Sequence, residues 1–133
     1  MPVRNYRDLI VWEKAFKLVL EIYHQTESFP SRETYGLISQ MRRAGTSIAS
    51  NIAEGEGRNS RAEFRRFLFI AHGSLRELET QILIAESLGY LNAKEGSKLR
   101  MMTAEVRRLI NGLSRFLGGT RSPTADCPLP TAD

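Results

Sequence analysis

Two histidines, one cysteine and fifteen carboxylates are what the 133-residue chain offers to catalysis or metal binding. Their spacing argues against both. A di-iron site in a helical bundle needs two Glu-x-x-His pairs on two helices and a further Glu from each of the others. Glu21-Ile22-Tyr23-His24 supplies one pair, but His72 has Phe69 three residues before it, so the second pair is missing. A surface Glu and His near a helix end is the expected reading. The lone Cys127 lies in a Pro-rich tail, which excludes an intramolecular disulfide and a multi-Cys metal site. His72-Gly73-Ser74 places His and Ser on different sides of one helix with no orienting carboxylate. Gly55-Glu56-Gly57-Arg58-Asn59-Ser60 echoes a phosphate loop opening a helix, where free N–H groups attract an anion. No strand precedes it and no Gly-Lys-Ser/Thr follows, so an interhelical turn with an N-cap is expected, with at most a single phosphate contact. The chain is read as a non-enzyme with no catalytic residue, metal or cofactor.

Charge is more informative. Lys and Arg number 19 against 15 Asp and Glu, for a net charge of +4 and a pI near 9.6. That excess suits a polyanionic partner, although many small proteins carry as much. Its distribution along the third helical segment is one-sided. At 100° per residue from Phe64 as the centre of the core face, Arg61, Arg65, His72 and Arg76 fall roughly 60° to 120° around, while Glu63, Glu77 and Gln81 fall on the other flank. Arg58 joins the basic flank if the helical path extends back to it. From Arg58 to Arg76 such a stripe spans about 27 Å, enough to track several phosphates. The expectation is a nucleic-acid-binding flank, for RNA or DNA, of Arg58, Arg61, Arg65 and Arg76. The bland alternative is a solvated basic face paired with acidic groups of a neighbouring helix. A protein-interaction scaffold that binds no nucleic acid fits that alternative.

Four amphipathic segments must position these groups. The first reads Leu9, Trp12, Phe16, Val19, Tyr23, Thr26; the second Ile38, Met41, Gly45, Ile48, Ile52, widened by Leu37 and Ala49. The third reads Phe64, Phe67, Ala71, Leu75, Leu78, Ile82, Ala85, and the fourth Leu99, Met102, Val106, Leu109, Leu113, Phe116. Nothing alternates with period two, so no strand is expected. Ser60-x-x-Glu63 and Asn92-x-x-Glu95 are capping boxes opening the third and fourth helices. Phe29-Pro30-Ser31 breaks the chain before the second helix, Gly55-Glu56-Gly57 ends it, Gly89 ends the third and Gly118-Gly119 the fourth. Short connections predict an all-α, up-down-up-down antiparallel four-helix bundle. Gly45 and Gly73 sit inside helices, where close helix approach is the expected reason. The bundle domain is assigned to residues 1–118, and a disordered tail to 119–133, where Pro-Thr-Ala-Asp occurs twice.

Length allows one core, and 41% hydrophobic with 26% charged residues is an ordinary globular composition. No stretch approaches the roughly 18 apolar residues of a membrane-spanning helix, and no signal core follows Met1-Pro2-Val3, so a cytoplasmic protein without membrane contact is expected. Two features suggest self-association. Beside the first helix's series runs a second one, Val11, Ala15, Leu18 and Ile22, too wide a face to be buried on one side. On the second helix, Gln40, Arg43, Ser47, Asn51 and Glu54 lie opposite the apolar stripe, with Arg42 near its edge. Short Ser and Asn side chains are weak helix formers that suit packing against another surface.

Several blocks carry a family resemblance: Leu9-x-x-Trp12-x-x-Ala15, Phe29-Pro30, Tyr35-Gly36-Leu37-x-x-Gln40-x-Arg42-Arg43-Ala44, Ser47-Ile48-x-x-Asn51-Ile52-Ala53-Glu54-Gly55, Phe64-x-x-Phe67-Leu68, Gly73-Ser74-x-x-Glu77-Leu78 and Leu88-Gly89-Tyr90. Over about residues 6–117 the chain resembles the four-helix bundle proteins encoded in intervening sequences of bacterial 23S ribosomal RNA genes. The resemblance implies a ring-like homopentamer and a looser kinship with accessory proteins of diversity-generating retroelements, which work beside a reverse transcriptase and RNA. It implies no established activity and no place in the ribosome. Carried across residue by residue, the family motif falls on Arg42, Arg43, Asn51, Glu54 and Glu77.

Overall fold

A computed structural model describes residues 5–118. Among them there are four α-helices and no strand: α1 (Ile10–Thr26), α2 (Ser39–Glu56), α3 (Arg61–Ser87) and α4 (Ala93–Gly118), with 3-10 turns at Tyr6–Asp8 and Ser31–Glu33 and a π-type turn at Thr34–Ile38. Among the described residues no helix is long and apolar enough to cross a membrane. The proposed tail, residues 119–133, lies outside the described residues. One core joins all four helices, and Leu18, Ile22, Met41, Ile48, Ile52, Leu68, Leu75, Leu78, Ile82 and Leu99 are fully buried in it. Each such side chain contributes about 1.5–3 kcal/mol of transfer free energy.

Polar termini fix where the helices begin and end. Ser60 Oγ accepts from the Glu63 N–H at 3.0 Å. Before α4 the box is reciprocal: Asn92 Oδ1 accepts from the Glu95 N–H at 2.8 Å, and Glu95 Oε1 accepts from the Asn92 N–H at 2.9 Å. Gly89 stands at φ 83°, a conformation that only glycine adopts without strain. With its N–H donating to Glu86 O and the Tyr90 N–H to Ala85 O, α3 closes in a Schellman motif.

The connection from α1 to α2 is more elaborate than a Pro break. Glu33 Oε1 accepts the Leu37 N–H at 3.0 Å, and Glu33 Oε2 accepts the Tyr90 hydroxyl at 2.9 Å. Phe29 packs on the Tyr90 ring with centroids 5.2 Å apart. A Cβ at Gly36 would come within 2.8 Å of Glu33 Oε1, so a side chain there would push the carboxylate aside from its place over the turn. The Phe29-Pro30, Tyr35-Gly36 and Leu88-Gly89-Tyr90 blocks thus meet in one structural clasp.

Helix pairing is recorded by polar contacts as well as by the core. Lys14 pairs with Glu105 at 3.4 Å and Glu21 with Lys98 at 3.2 Å, so positions rise along α1 as they fall along α4. Between α3 and α4, Arg107 bonds to Glu79 and Arg100 to Glu86. Gly96 leaves the room that the Glu86 carboxylate occupies. Between α2 and α3 the approach is closest at Gly55, where a Cβ would stand 2.7 Å from Phe67 Cβ and 3.0 Å from the Phe64 ring.

Three expectations are corrected. The buried face of α1 is Val11, Ala15, Leu18, Ile22 and Thr26, whereas Phe16 and Tyr23 are each 43% exposed. The series held over for a partner is therefore intramolecular core, and the Trp12-Phe16 ridge lies at its edge. On α4 the core is Leu99, Thr103, Val106 and Ile110, and Phe116 is exposed. Close approach explains neither glycine as foreseen. A Cβ at Gly45 would meet Val19 and Ile22 only at 3.8 and 3.9 Å, and at Gly73 it would meet nothing within 4 Å.

These glycines separate cleanly in a stability measurement. Gly55→Ala should lose about 1–3 kcal/mol by overpacking, while Gly73→Ala should gain roughly 1 kcal/mol of helix propensity. Equal melting temperatures for the two variants would contradict the close approach at position 55. The clasp predicts a pH effect. The Leu37 N–H, then the Tyr90 hydroxyl and the Arg32 charge, hold the Glu33 carboxyl below its ordinary value of 4.5. A depressed folded value means stability that is present above the unfolded value and lost as pH falls through the folded one. Thermal melts between about pH 5 and pH 3 should therefore decline more steeply for the parent than for Glu33→Gln; parallel curves would show that the clasp carries no linkage.

Candidate nucleic-acid interface

The four arginines of the anticipated basic flank are all exposed, but they do unlike things. α3 begins at Arg61 behind the Ser60 cap, so the helical path does not extend back to Arg58. Arg58 instead bonds Glu54 Oε2 at 2.8 Å and places its guanidinium 5.0 Å from the Phe67 ring centroid. Arg61 donates from Nε to Leu117 O at 3.0 Å and from Nη2 to Phe116 O at 2.7 Å, with its guanidinium 5.2 Å from the Phe116 ring centroid. It caps the carbonyl end of α4, where a positive charge also complements the helix dipole. The Arg65 guanidinium lies against Gly118, within 3.3 Å of where a Cβ would stand. Among the described residues, Arg65 and Arg76 have no carboxylate partner. From Arg61 to Arg76 the flank now runs about 22 Å at helical rise.

Arg66 belongs to this end of the molecule too. It pairs with Glu63 at 3.5 Å and stands 4.9 Å from the same Phe67 ring that Arg58 approaches. The i,i+3 spacing from Glu63 was the only sequence signal for it.

Of the family-motif residues, Arg42, Arg43 and Glu77 join one helix to another, while Asn51 and Glu54 bond locally, to Ser47 and to Arg58. Arg42 donates from Nε to Thr26 Oγ1 at 2.9 Å and from Nη2 to Tyr23 O at 3.3 Å, and lies 4.5 Å from the Tyr23 ring centroid. Thr26 is buried and passes its own hydroxyl hydrogen to Ile22 O at 2.7 Å. Arg42 is thus the cap of α1 supplied by α2. Arg43 reaches Glu77 at 3.9 Å across α2 and α3, and Gln81 Nε2 donates to the same carboxylate at 3.2 Å. Asn51 Nδ2 donates to Ser47 O at 2.9 Å and Ser47 Oγ at 3.0 Å, and Ser47 Oγ shares a 2.8 Å bond with Ser74 Oγ. Ser47 therefore meets α3 of the same chain through Ser74, while both Asn51 bonds stay within α2. Ser74, beside His72 and Gly73, spends its hydroxyl there.

Glu21 is likewise engaged. Burial raises its carboxyl, but the hydrogen bonds of Gln25 and Lys98 and the charges of Lys98 and His24 outweigh burial and hold it below the ordinary value. Among the described residues no group of three or more His, Cys, Asp or Glu is arranged to hold a metal ion.

With the four helices and the Arg42, Arg43, Asn51, Glu54 and Glu77 contacts in place, comparison with known proteins is decisive for lineage. The family model of the 23S rRNA-intervening sequence protein matches residues 7–112. The chain belongs to that family. A solved structure of a protein of unknown function from the S23 ribosomal protein family of Bacteroides thetaiotaomicron VPI-5482 superposes with a TM-score of 0.74. It is 24% identical and aligns over 82% of this chain and 98% of its own length, which is evidence of a shared fold alone. No curated protein matches the sequence. In this 23S rRNA-intervening sequence protein, the motif arginines Arg42 and Arg43 are contacts between helices before they are anything else.

The division of labour among arginines is measurable. Arg42→Ala and Arg61→Gln should each lower stability by about 1–2 kcal/mol through lost charge-assisted bonds to helix-terminal groups. Arg76→Gln should stay within about 0.5 kcal/mol of the parent. Denaturant unfolding of the three variants checks this, and an Arg76 variant as destabilised as Arg61→Gln would contradict it.

Proposed function

We propose that this member of the 23S rRNA-intervening sequence family is a non-enzymatic, cytoplasmic, up-down-up-down antiparallel bundle that assembles as a ring-like homo-oligomer and binds RNA or DNA through the basic flank of α3. The observation that carries the nucleic-acid reading is the exposed flank on which Arg65 and Arg76 have no carboxylate partner among the described residues. Arg pairs with phosphate in a bidentate geometry that does not depend on base identity. Arg58 and Arg61 add charge beside them while serving the fold. Each site alone is weak, and repetition once per subunit multiplies it. No sequence preference follows, because the exposed rings near the flank, Phe69 and the Phe116 ring beside Arg61, could stack on any base.

Antiparallel order is supported by the reciprocal numbering of Lys14–Glu105 and Glu21–Lys98 and by the short turns between helices. Self-association is supported by exposed apolar side chains on two helices, Ile10, Leu20 and Tyr23 of α1 and Phe69, Leu83 and Ile84 of α3. Those same side chains favour the second reading, a protein-interaction scaffold in which the arginines stay solvated or meet an acidic protein partner; a reverse transcriptase is the partner that the looser kinship with retroelement accessory proteins would suggest.

The parent should bind mixed-sequence RNA and DNA, and the double variant Arg65→Gln/Arg76→Gln should bind more weakly with a salt slope lower by about one to two units. Arg61 is left intact in this variant because it holds α4. A folded variant with unchanged affinity and slope hands the function to the scaffold reading. Light scattering should report a multiple of the 15.1 kDa chain mass; a monomer throughout the micromolar range would contradict assembly.

A further inference from the structure

The helices differ in which charges their own contacts consume. Every glutamate of α3 is engaged: Glu63 with Arg66, Glu77 with Arg43, Glu79 with Arg107 and Glu86 with Arg100. On α4, Glu95 accepts the Asn92 N–H and Glu105 pairs with Lys14. Among the described residues, α3 and α4 therefore keep no uncommitted carboxylate, while Arg65, Arg76, Arg108 and Arg115 on them are exposed and without a partner. The helix carboxylates left over are Glu13 of α1 and Glu56 of α2, on the opposite pair.

These four arginines border one valley. On α4, Arg107 and Arg100 reach α3, whereas Lys98 and Glu105 reach α1. Turning outward from Arg107 at 100° per residue, Arg115 and Arg108 come at roughly 80° and 100°, before Glu105 at roughly 160° and Lys98 at roughly 180°. On α3, Arg65 and Arg76 lie only roughly 40° and 60° outward from Glu79, the residue that Arg107 holds. The Arg65 guanidinium accordingly rests against Gly118 of α4.

The two contacts Glu79–Arg107 and Glu86–Arg100 also set the register, since seven positions up α3 are seven down α4. Arg115 then stands level with about position 71 of α3, and Arg108 with about position 78. From one end of the valley to the other the order is Arg65, Arg115, Arg76, Arg108, alternating between the walls over about 20 Å of helical rise.

We propose that one strand of RNA or DNA lies lengthwise in the α3–α4 valley, its phosphates held on one side by Arg65 and Arg76 and on the other by Arg115 and Arg108. The valley extends the nucleic-acid reading, on which it rests, by a second wall and by the form of the ligand. Packed helices about 8–10 Å apart, each about 10–12 Å across, present a front about 20 Å broad. The duplex major groove is about 12 Å wide and admits one helix, so a duplex meets this front only with its outer backbone. A single backbone settles between the walls and meets cations from both.

The full chain is titrated by anisotropy with a fluorescent 20-nucleotide oligothymidine, a blunt DNA duplex of the same length and a 20-residue polyglutamate. The single strand should bind most tightly. Arg108→Gln/Arg115→Gln should melt with the parent yet lower the single-strand salt slope by about 1.4 units, two phosphate contacts at about 0.7 each. Arg65→Gln/Arg76→Gln should do the same, and the fourfold variant should lose about twice as much. Lys17→Glu takes the same net charge from the exposed side of α1 and should leave the slope unchanged. A slope that falls for the Arg65/Arg76 variant but not for the Arg108/Arg115 variant would keep the nucleic-acid reading and overturn the second wall. Equal loss from Lys17→Glu, or tighter binding of the duplex or of polyglutamate, would also overturn the proposal. A parent that binds none of the three probes would remove the nucleic-acid reading itself, and the valley with it.

Discussion

Where α2 hands over to α3, there is no room for a side chain at position 55. The Phe67 Cβ and the Phe64 ring stand where a Gly55 Cβ would have to be. This contact sets how the two helices lie together, and the pairs further along are consistent with it: Ser47 with Ser74, then Arg43 with Glu77. With Phe64, Phe67 and Ala71 turned inward, Arg65 and Arg76 have to face outward, since a helix that buries one stripe exposes the flank about a quarter-turn away. The basic surface follows from the core geometry of α3.

The arginines do not form one population. Arg42 and Arg61 each reach carbonyl oxygens at the end of a helix other than their own, which neutralises groups that no intrahelical bond can satisfy. Arg58, Arg66 and Arg43 are tied to glutamates and, in the first two cases, to the Phe67 ring. Arg65 and Arg76 on α3, like Arg108 on α4, have no such duty among the described residues. Positive charge that the fold does not consume is what remains for partners, and it lies on two neighbouring helices.

Helix count, capping residues and the core of α2 and α3 could be read from the sequence because each is a local pattern: Ser60 to Glu63, Asn92 to Glu95, and apolar residues three and four apart. The inward face of α1 could not. Two apolar series satisfy the same period there, and aromatic bulk pointed to Trp12, Phe16 and Tyr23. Val11, Ala15, Leu18 and Ile22 enter the common core with Met41, Ala44 and Ile48 of α2, while the aromatics settle at the edge with their faces partly wet. Arg61 illustrates the limit for the site. Its residue type and exposure suggested phosphate, but its carbonyl partners lie 55 and 56 residues away on another helix, a separation that no local pattern encodes.

The most direct test of the nucleic-acid account uses the purified full chain and its ultraviolet absorbance at 260 and 280 nm before and after a high-salt wash. Phosphate-dominated binding predicts a ratio above that of protein alone, falling to the protein value once salt displaces the polyanion. A folded preparation showing the protein ratio before the wash, and unchanged by it, would contradict the account.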